Sequence, residues 1–180
     1  MKRILAVAAL TLSALLVAVS AASASVAPGT YPGTLNTANA PSGTHLQSGT
    51  ISCTVAADLS ISCSSYELAG VGNTNAVDNL TANYTATVDC FNKGTNPNNP
   101  VESHTTSFST SDSDQLTSSK NGRLRVFTLS ANPGSVTQVC PNPNWTPVIR
   151  PGTLTLVSFS YTLTFAGFSS PAVSISQTDP

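Results

Sequence analysis

Two histidines are the candidates for the base of a hydrolytic triad, and neither lies in a catalytic motif. A serine nucleophile needs an imidazole beside it, and no G-x-S-x-G turn occurs in the chain. His104 lies in the polar run 102–106, which is typical of a solvent-facing strand, and His45 lies near the N-terminal leader. The sequence therefore predicts no catalytic residue. An extracellular hydrolase that uses His104 with a nearby serine and carboxylate is the alternative.

The carboxylates could supply a glycosidase pair or calcium ligands, but their spacing selects neither. A glycosidase needs two carboxylates that face one cleft. Asp112-Ser113-Asp114 could give oxygens to Ca²⁺, yet the Gly and the terminal Glu of an EF-hand loop are missing. We therefore predict a polar loop at this triplet, and neither a metal nor another cofactor. The acidic residues are Asp58, Glu67, Asp78, Asp89, Glu102, Asp112, Asp114 and Asp179.

Three basic side chains, Lys120, Arg123 and Arg125, lie around the dipeptide Asn121-Gly122. This dipeptide favours a two-residue type I′ hairpin turn, in which Lys120 and Arg123 would be cross-strand neighbours. Like charges that face each other destabilise a sheet, so one interpretation is a basic patch for an anionic envelope polymer or an acidic partner. The other is a solvated hairpin tip whose charge protects a sheet edge.

The single tryptophan, Trp145, lies in the proline-rich run 140–147. A stiff loop of this kind could present the indole ring to a sugar or to a protein partner. The competing interpretation is burial, because a lone tryptophan in a small β domain is highly buried on average. Trp145 joins Lys120, Arg123 and Arg125 as the predicted binding residues.

Four cysteines, an even number, predict two disulfides in an exported chain. The runs 51–55 and 59–63 resemble a hairpin with a three-residue loop at 57–59, which would place Cys53 directly opposite Cys63. We therefore predict the pairs Cys53–Cys63 and Cys90–Cys140. Zinc binding is the rejected alternative, because the chain has no C-x-x-C pair.

The first 24 residues resemble a secretory signal peptide. Lys2 and Arg3 precede the apolar run 4–19, and the small residues at 22–24 fit a cleavage site after Ala24. The apolar run would rise about 24 Å as a helix, which is shorter than the roughly 30 Å core of a bilayer. We predict export, and no membrane span after cleavage. The alanine-rich signal and the low-charge body are typical of a bacterial protein.

The mature chain is low in charge and rich in hydroxyl groups. Serine and threonine together make up 50 of the 180 residues, whereas charged residues make up 8%. Removal of the signal leaves five basic and eight acidic side chains, a formal charge of −3. Binding to nucleic acid needs dense Lys and Arg to neutralise several phosphates, so this class of partner is excluded.

Alternation of apolar and polar residues dominates the chain after residue 50. Residues 25–49 are predicted to be a flexible leader rich in Pro, Gly, Ser and Thr, which pairs, if at all, as an edge strand near its end. Residues 80–90 have one apolar and one polar face, and 153–165 changes phase near Leu156-Val157, which indicates a β-bulge. Shorter strands are predicted at 101–109, 115–120, 123–129, 135–140 and 172–177.

These patterns predict an all-β fold: one antiparallel β-sandwich domain over 50–180, Ig-like or jelly-roll-like, with an open β-barrel as the alternative. We expect a secreted, non-enzymatic protein with a binding or structural role outside the cell or at the cell envelope. Its partner would be an envelope polymer or an extracellular protein. Besides the hydrolase, a secreted inhibitor or small-ligand carrier is a further alternative.

Overall fold

A computed structural model describes residues 25–92, 99–135 and 140–178. The predicted signal peptide, Asp179 and most of the strand predicted at 135–140 lie outside these ranges. Two short 3₁₀ turns, Thr37–Asn39 and Pro133–Ser135, accompany the strands. The strands are β1 Gly29–Pro32, β2 His45–Gly49, β3 Ser52–Val55, β4 Ile61–Cys63, β5 Tyr66–Ala69, β6 Ala76–Asn92, β7 Glu102–Leu116, β8 Arg123–Val126, β9 Leu129–Ala131, β10 Trp145–Ile149, β11 Thr155–Phe165 and β12 Val173–Thr178.

The strands form three antiparallel sheets, which confirms the all-β sandwich prediction. The largest sheet has β6 at its centre: β7 pairs along one side of it, and β11 and then β10 pair along the other, with β12 beyond β11. A four-stranded sheet has the order β1-β3-β4-β9, and a three-stranded sheet has the order β2-β5-β8. In the described residues no sheet closes into a barrel.

The core lies between the five-stranded sheet and the two smaller sheets. Its largest fully buried side chains include Tyr84, Phe159 and Tyr161. Tyr66 of β5 and Tyr161 of β11 share a hydrogen bond of 2.9 Å between their hydroxyls, and burial raises the pKa of both. The Tyr84 hydroxyl donates to the carbonyl of Leu59 at 2.9 Å. Polar atoms inside the sandwich thus connect the sheets.

The long strands carry the predicted alternation and the predicted bulge. Strand β6 covers the whole predicted segment 80–90 and extends beyond it at both ends. The register between β11 and β6 shifts between Leu156 and Ser158, as the phase change predicts. Strand β12 agrees with the segment predicted at 172–177.

Both disulfides are confirmed. Cys53 lies directly opposite Cys63 across β3 and β4. The three-residue loop at 57–59 is closed by a hydrogen bond from the Ala56 amide to the Ser60 carbonyl at 2.9 Å. Cys90 bonds to Cys140 and closes a separation of 50 residues.

The segment 25–49 contributes two strands to the sandwich, whereas the sequence predicts a leader with pairing only near its end. Strand β2, at that end, pairs with β5 as an edge strand. Strand β1 pairs with β3, which the sequence does not predict. The Val26 amide donates to the carbonyl of Leu156 at 2.8 Å, so even the start of the segment contacts β11. Short strands without period-two alternation join sheets here through backbone hydrogen bonds.

The segment predicted at 101–109 and the start of the one predicted at 115–120 belong to one strand, β7, which ends at Leu116, so residues 117–120 are not a strand as predicted. The polar loop predicted at 112–114 lies inside β7. Its inward side chains include Asp112 and Asp114, which break the expected apolar alternation. The segment predicted at 123–129 instead divides into β8 and β9, which belong to different sheets. Inward-pointing charges are one means by which proteins protect a long edge strand, and β7 is such an edge.

Among the described residues, no helix is long and apolar enough to cross a membrane.

Candidate binding surfaces

The turn that carries Lys120 differs from the predicted two-residue hairpin. The Ser119 amide donates to the Arg123 carbonyl at 2.8 Å, and the Gly122 amide donates to the Ser119 carbonyl at 2.9 Å. The loop therefore has three residues, and Ser119, not Lys120, lies opposite Arg123. A type I′ turn needs positive φ at both central residues, but here only Gly122 has it, with a φ of +72°. The predicted facing of Lys120 and Arg123 is wrong, and Lys120 lies exposed at the tip.

Arg123 and Arg125 point outward from β8, an edge of the three-stranded sheet, because Leu124 and Val126 point into the core. A guanidinium nitrogen of Arg123 lies 2.5 Å from the carboxylate of Glu67 on β5. Glu67 is the register partner of Arg125, so its carboxylate belongs to the same sheet face as both arginines. The side chains of Arg123 and Glu67 are 48% and 27% exposed, so this ion pair is worth no more than about 1 kcal/mol.

Arg125 lies over an exposed aromatic ring. Its guanidinium carbon is 5.3 Å from the ring centroid of Phe127, which is 50% exposed. A guanidinium in a cation–π contact can still donate its N–H groups to a carboxylate or a phosphate. We name the outward group of Glu67, Arg123, Arg125 and Phe127 the arginine face.

A shallow groove of about 310 Å³ adjoins the arginine face. It is lined by Arg125 and Glu67 together with polar groups of β2 and of the approach to β5, including Ser48 and Ser65. The three-stranded sheet therefore offers one cation, Arg125, together with hydroxyls and one carboxylate around a single concavity. This arrangement can bind a negatively charged group through ion pairing and hydrogen bonds.

Trp145 does not join this surface. It is the first residue of β10, on the five-stranded sheet, and it is half-buried. Its ring packs against Val88 and the Cys90–Cys140 disulfide. The indole thus covers the disulfide, and the structure separates it from the basic residues with which the sequence groups it.

His104 points toward the inner side of β7, opposite Val88, and is half-buried. The prediction of a solvent-facing position is therefore wrong. Its Nδ1 atom is buried and has no hydrogen-bond partner in the described part of the chain, so neither a serine hydroxyl nor a carboxylate contacts this nitrogen there. His45 is exposed on β2, and its Nδ1 lies 2.9 Å from the Gly43 carbonyl.

Of the three calcium-ligand candidates, Asp112 and Asp114 point toward the inner side of β7, whereas Ser113 points outward. Asp112 accepts a hydrogen bond from the Ser130 amide at 2.9 Å, which connects β7 to β9. Asp78 is fully buried and accepts from the Asp114 amide at 3.1 Å. Within residues 25–92, 99–135 and 140–178, no group of three or more His, Cys, Asp or Glu side chains is arranged to hold a metal ion.

One polar network is absent from the sequence predictions. Arg150, which follows β10, contacts both carboxylate oxygens of Asp89 at 2.7 and 3.0 Å and donates to the Ser103 hydroxyl at 2.9 Å. Hydrogen bonds from Arg150 and then from Ser103 lower the pKa of Asp89. The network connects β6, β7 and the end of β10, and the residues lie too far apart in sequence for a local pattern to indicate it. The carboxylate neutralises this arginine, so we assign the network a structural role.

Comparison with protein family models, with curated proteins and with solved structures gave no match. The assignment of a binding surface therefore depends on the geometry of this chain.

Proposed function

We propose that this is a secreted, non-enzymatic binding protein that holds an anionic polymer of the cell envelope on its arginine face. Two disulfides fit an oxidising, extracellular environment, and the N-terminal sequence fits an export signal. The observation that carries the proposal is the cation–π contact of the Arg125 guanidinium with the exposed ring of Phe127. Aromatic and arginine side chains are enriched at binding surfaces, and here the two are in contact.

The charge distribution supports an anionic ligand. The mature chain is acidic overall, so its basic side chains give no general attraction to anions. Three of the five basic side chains that follow residue 24 nevertheless lie within residues 120–125, on one turn and one strand. A few cations at one place suit a polymer with spaced carboxylates or phosphodiesters. They are too few for the dense phosphates of nucleic acid.

Glu67 has a defined part in this proposal. Its carboxylate holds the guanidinium of Arg123 and also repels an incoming anion. A neutral residue at position 67 would remove the repulsion while the cations remain. The carboxylate thus limits the affinity of the face.

Replacing Arg125 by Gln is expected to weaken binding to linear poly(glycerol phosphate) or to polygalacturonate by roughly tenfold, about 1.4 kcal/mol. The R125Q variant loses both the positive charge and the planar guanidinium with its N–H donors. R125K keeps the charge and should therefore lose less affinity. Titration calorimetry at low salt measures both variants, and binding should weaken as salt is added. Equal affinity of R125Q and the parent protein for both polymers would contradict the proposal.

Replacing Glu67 by Gln is expected to raise the affinity for the same polymers several-fold, because it removes the one carboxylate of the arginine face. The matched control is E102Q, which removes the same charge from an exposed position on β7. Affinities measured side by side should separate the two variants. If E102Q tightens binding as much as E67Q does, net charge and not the arginine face is responsible.

A further inference from the structure

The outer face of the five-stranded sheet carries an uncharged array of hydroxyl and amide side chains, which we name the hydroxyl face. Strands β7, β6, β11 and β12 contribute its members in cross-strand rows, and four successive rows contain fifteen side chains and no charge. The members are Ser107, Ser109, Ser111, Ser113, Asn79, Thr81, Asn83, Thr85, Thr155, Ser158, Ser160, Thr162, Ser174, Ser176 and Thr178.

Most of this hydrogen-bonding capacity is directed at solvent. Asn83 donates to Ser158 at 2.9 Å, and the hydroxyls of Thr85 and Thr155 lie 2.6 Å apart. The other eleven members make no side-chain hydrogen bond within the described part of the chain. Strands lie about 4.8 Å apart, and side chains on one face repeat about every 6.7 Å along a strand, so the face is a regular grid of donors and acceptors.

A depression of about 490 Å³ lies at one end of the hydroxyl face. Its lining combines the amides of Gln115 and Asn75, the hydroxyl of Thr164 and the ring of Phe168. Phe168 packs edge-on against the buried Phe165, with ring centroids 6.4 Å apart, so its ring is held in place. The volume is within the range of small-molecule sites, and an aromatic ring beside a few polar groups is the usual composition of such sites.

We infer that the hydroxyl face and the depression beside Phe168 bind an uncharged polysaccharide. The four rows hold no counter-charge for an ionic ligand, so a charged group placed there would lose hydration without an ion pair in return. Sugar hydroxyls can replace the water that now solvates the serine, threonine and asparagine side chains. The ring of Phe168 can pack against the apolar face of one sugar unit. This site belongs to a different sheet from the arginine face and does not depend on it.

The test measures retention of the purified protein on cellulose, on chitin and on a mannan, at low salt and in about 1 M NaCl, where the Debye length is about 3 Å. We expect retention on at least one of the three, unchanged by salt. Thr81→Lys places a charge in the middle of the hydroxyl face and should weaken retention at least roughly tenfold. The matched control is Ser62→Lys, which places the same charge at an exposed position of β4 in the four-stranded sheet and should bind as the parent does.

Phe168→Ala should also weaken retention by roughly tenfold. T81K changes only an exposed side chain, so it tests the inference even if the loss of packing in F168A impairs folding. Absence of retention on all three polysaccharides would overturn the inference, and so would equal retention of T81K and S62K. R125Q should leave this binding unchanged while it weakens binding to poly(glycerol phosphate), so failure of the two proposals can be distinguished.

Discussion

Removing the Cys90–Cys140 disulfide is expected to lower the free energy of unfolding by about 4 kcal/mol, the value of the chain-entropy relation for a closed loop of 50 residues. The same relation gives about 2.7 kcal/mol for Cys53–Cys63, which closes only 10 residues. The long loop contains β7, β8 and β9, so its opening gives the denatured chain far more freedom than opening a short hairpin does. Removing Cys90–Cys140 should therefore lower the free energy of unfolding more than removing Cys53–Cys63 does.

The double variants C90A/C140A and C53A/C63A test this order, because alanine leaves no unpaired thiol and no buried hydroxyl. All four sulfur positions are buried, so both variants also lose some packing. Denaturant unfolding gives the two free energies, and the emission of Trp145, the single tryptophan, reports on the disulfide that it covers. A greater loss from the short hairpin than from the long loop would contradict the entropic account.

The sequence alone predicts the parts of the fold that depend on local alternation. The apolar face of 80–90 identifies β6, and the phase change at Leu156-Val157 identifies the bulge of β11. The spacing of Cys53 and Cys63 identifies both their pairing and the three-residue loop between their strands. In each case the information lies within about a dozen neighbouring residues.

Strand β7 shows why other parts could not be predicted. The carboxylate of the inward Asp112 accepts a hydrogen bond from the backbone amide of Ser130. The backbone amide of the inward Asp114 donates a hydrogen bond to the carboxylate of Asp78. These partners belong to β9 and β6, which the pattern around 112–114 cannot indicate. An aspartate pair that is typical of a loop therefore lies within a strand, near its end, because tertiary hydrogen bonds compensate for the local preference.

Two of the four predicted binding residues, Arg123 and Arg125, lie on the arginine face, whereas Lys120 lies at the turn and Trp145 lies on another sheet. Arg123 and Arg125 lie on one exposed strand face, and they are accompanied by Phe127 and Glu67. Phe127 follows the alternation of β8 and could have been included from sequence. Glu67 could not, because it reaches the arginines only through the pairing of β5 with β8.

The two proposed surfaces lie on different sheets and differ in charge. The arginine face belongs to the three-stranded sheet, and the hydroxyl face belongs to the opposing five-stranded sheet. Charge is almost absent from one and concentrated on the other. A protein with both could connect a neutral polysaccharide to an anionic polymer, and the salt dependence of each interaction distinguishes them.

Replacing Asp78 by Asn is expected to remove a loss of stability that the parent protein suffers as the pH rises. Burial raises the pKa of Asp78 to about 6, and the nearby carboxylates of Asp114 and Asp112 add to the shift, although the amide of Asp114 opposes it. Its second carboxylate oxygen is buried without a hydrogen-bond partner in the described residues. Tyr66 and Tyr161 lie on the same inner side and stay neutral, because burial raises their pKa.

The direction follows from proton binding. The native state holds the Asp78 proton up to about pH 6, whereas the unfolded chain, in which the carboxyl has its ordinary pKa of 3.8, releases it at lower pH. The native state therefore binds more protons between these two values, and stability decreases as the pH rises through that window. The stabilisation is complete below the unfolded pKa and is lost above about pH 6, with a total of up to about 3 kcal/mol.

Denaturant unfolding of D78N and the parent at several pH values between about 4 and about 8 measures this difference. D78N cannot ionise there, so its stability relative to the parent should increase with pH by up to about 3 kcal/mol. An unpaired amide in D78N would lower its stability by about 1–2 kcal/mol at every pH, so it would not change how the stability difference between D78N and the parent depends on pH. The control D58N should keep a nearly constant difference from the parent over this range, because hydrogen bonds from Ser60 lower the pKa of the exposed Asp58, so its stabilisation is lost only as the pH falls below the range. Parallel pH profiles of D78N and the parent would show that the Asp78 carboxyl titrates alike in the native and unfolded chains.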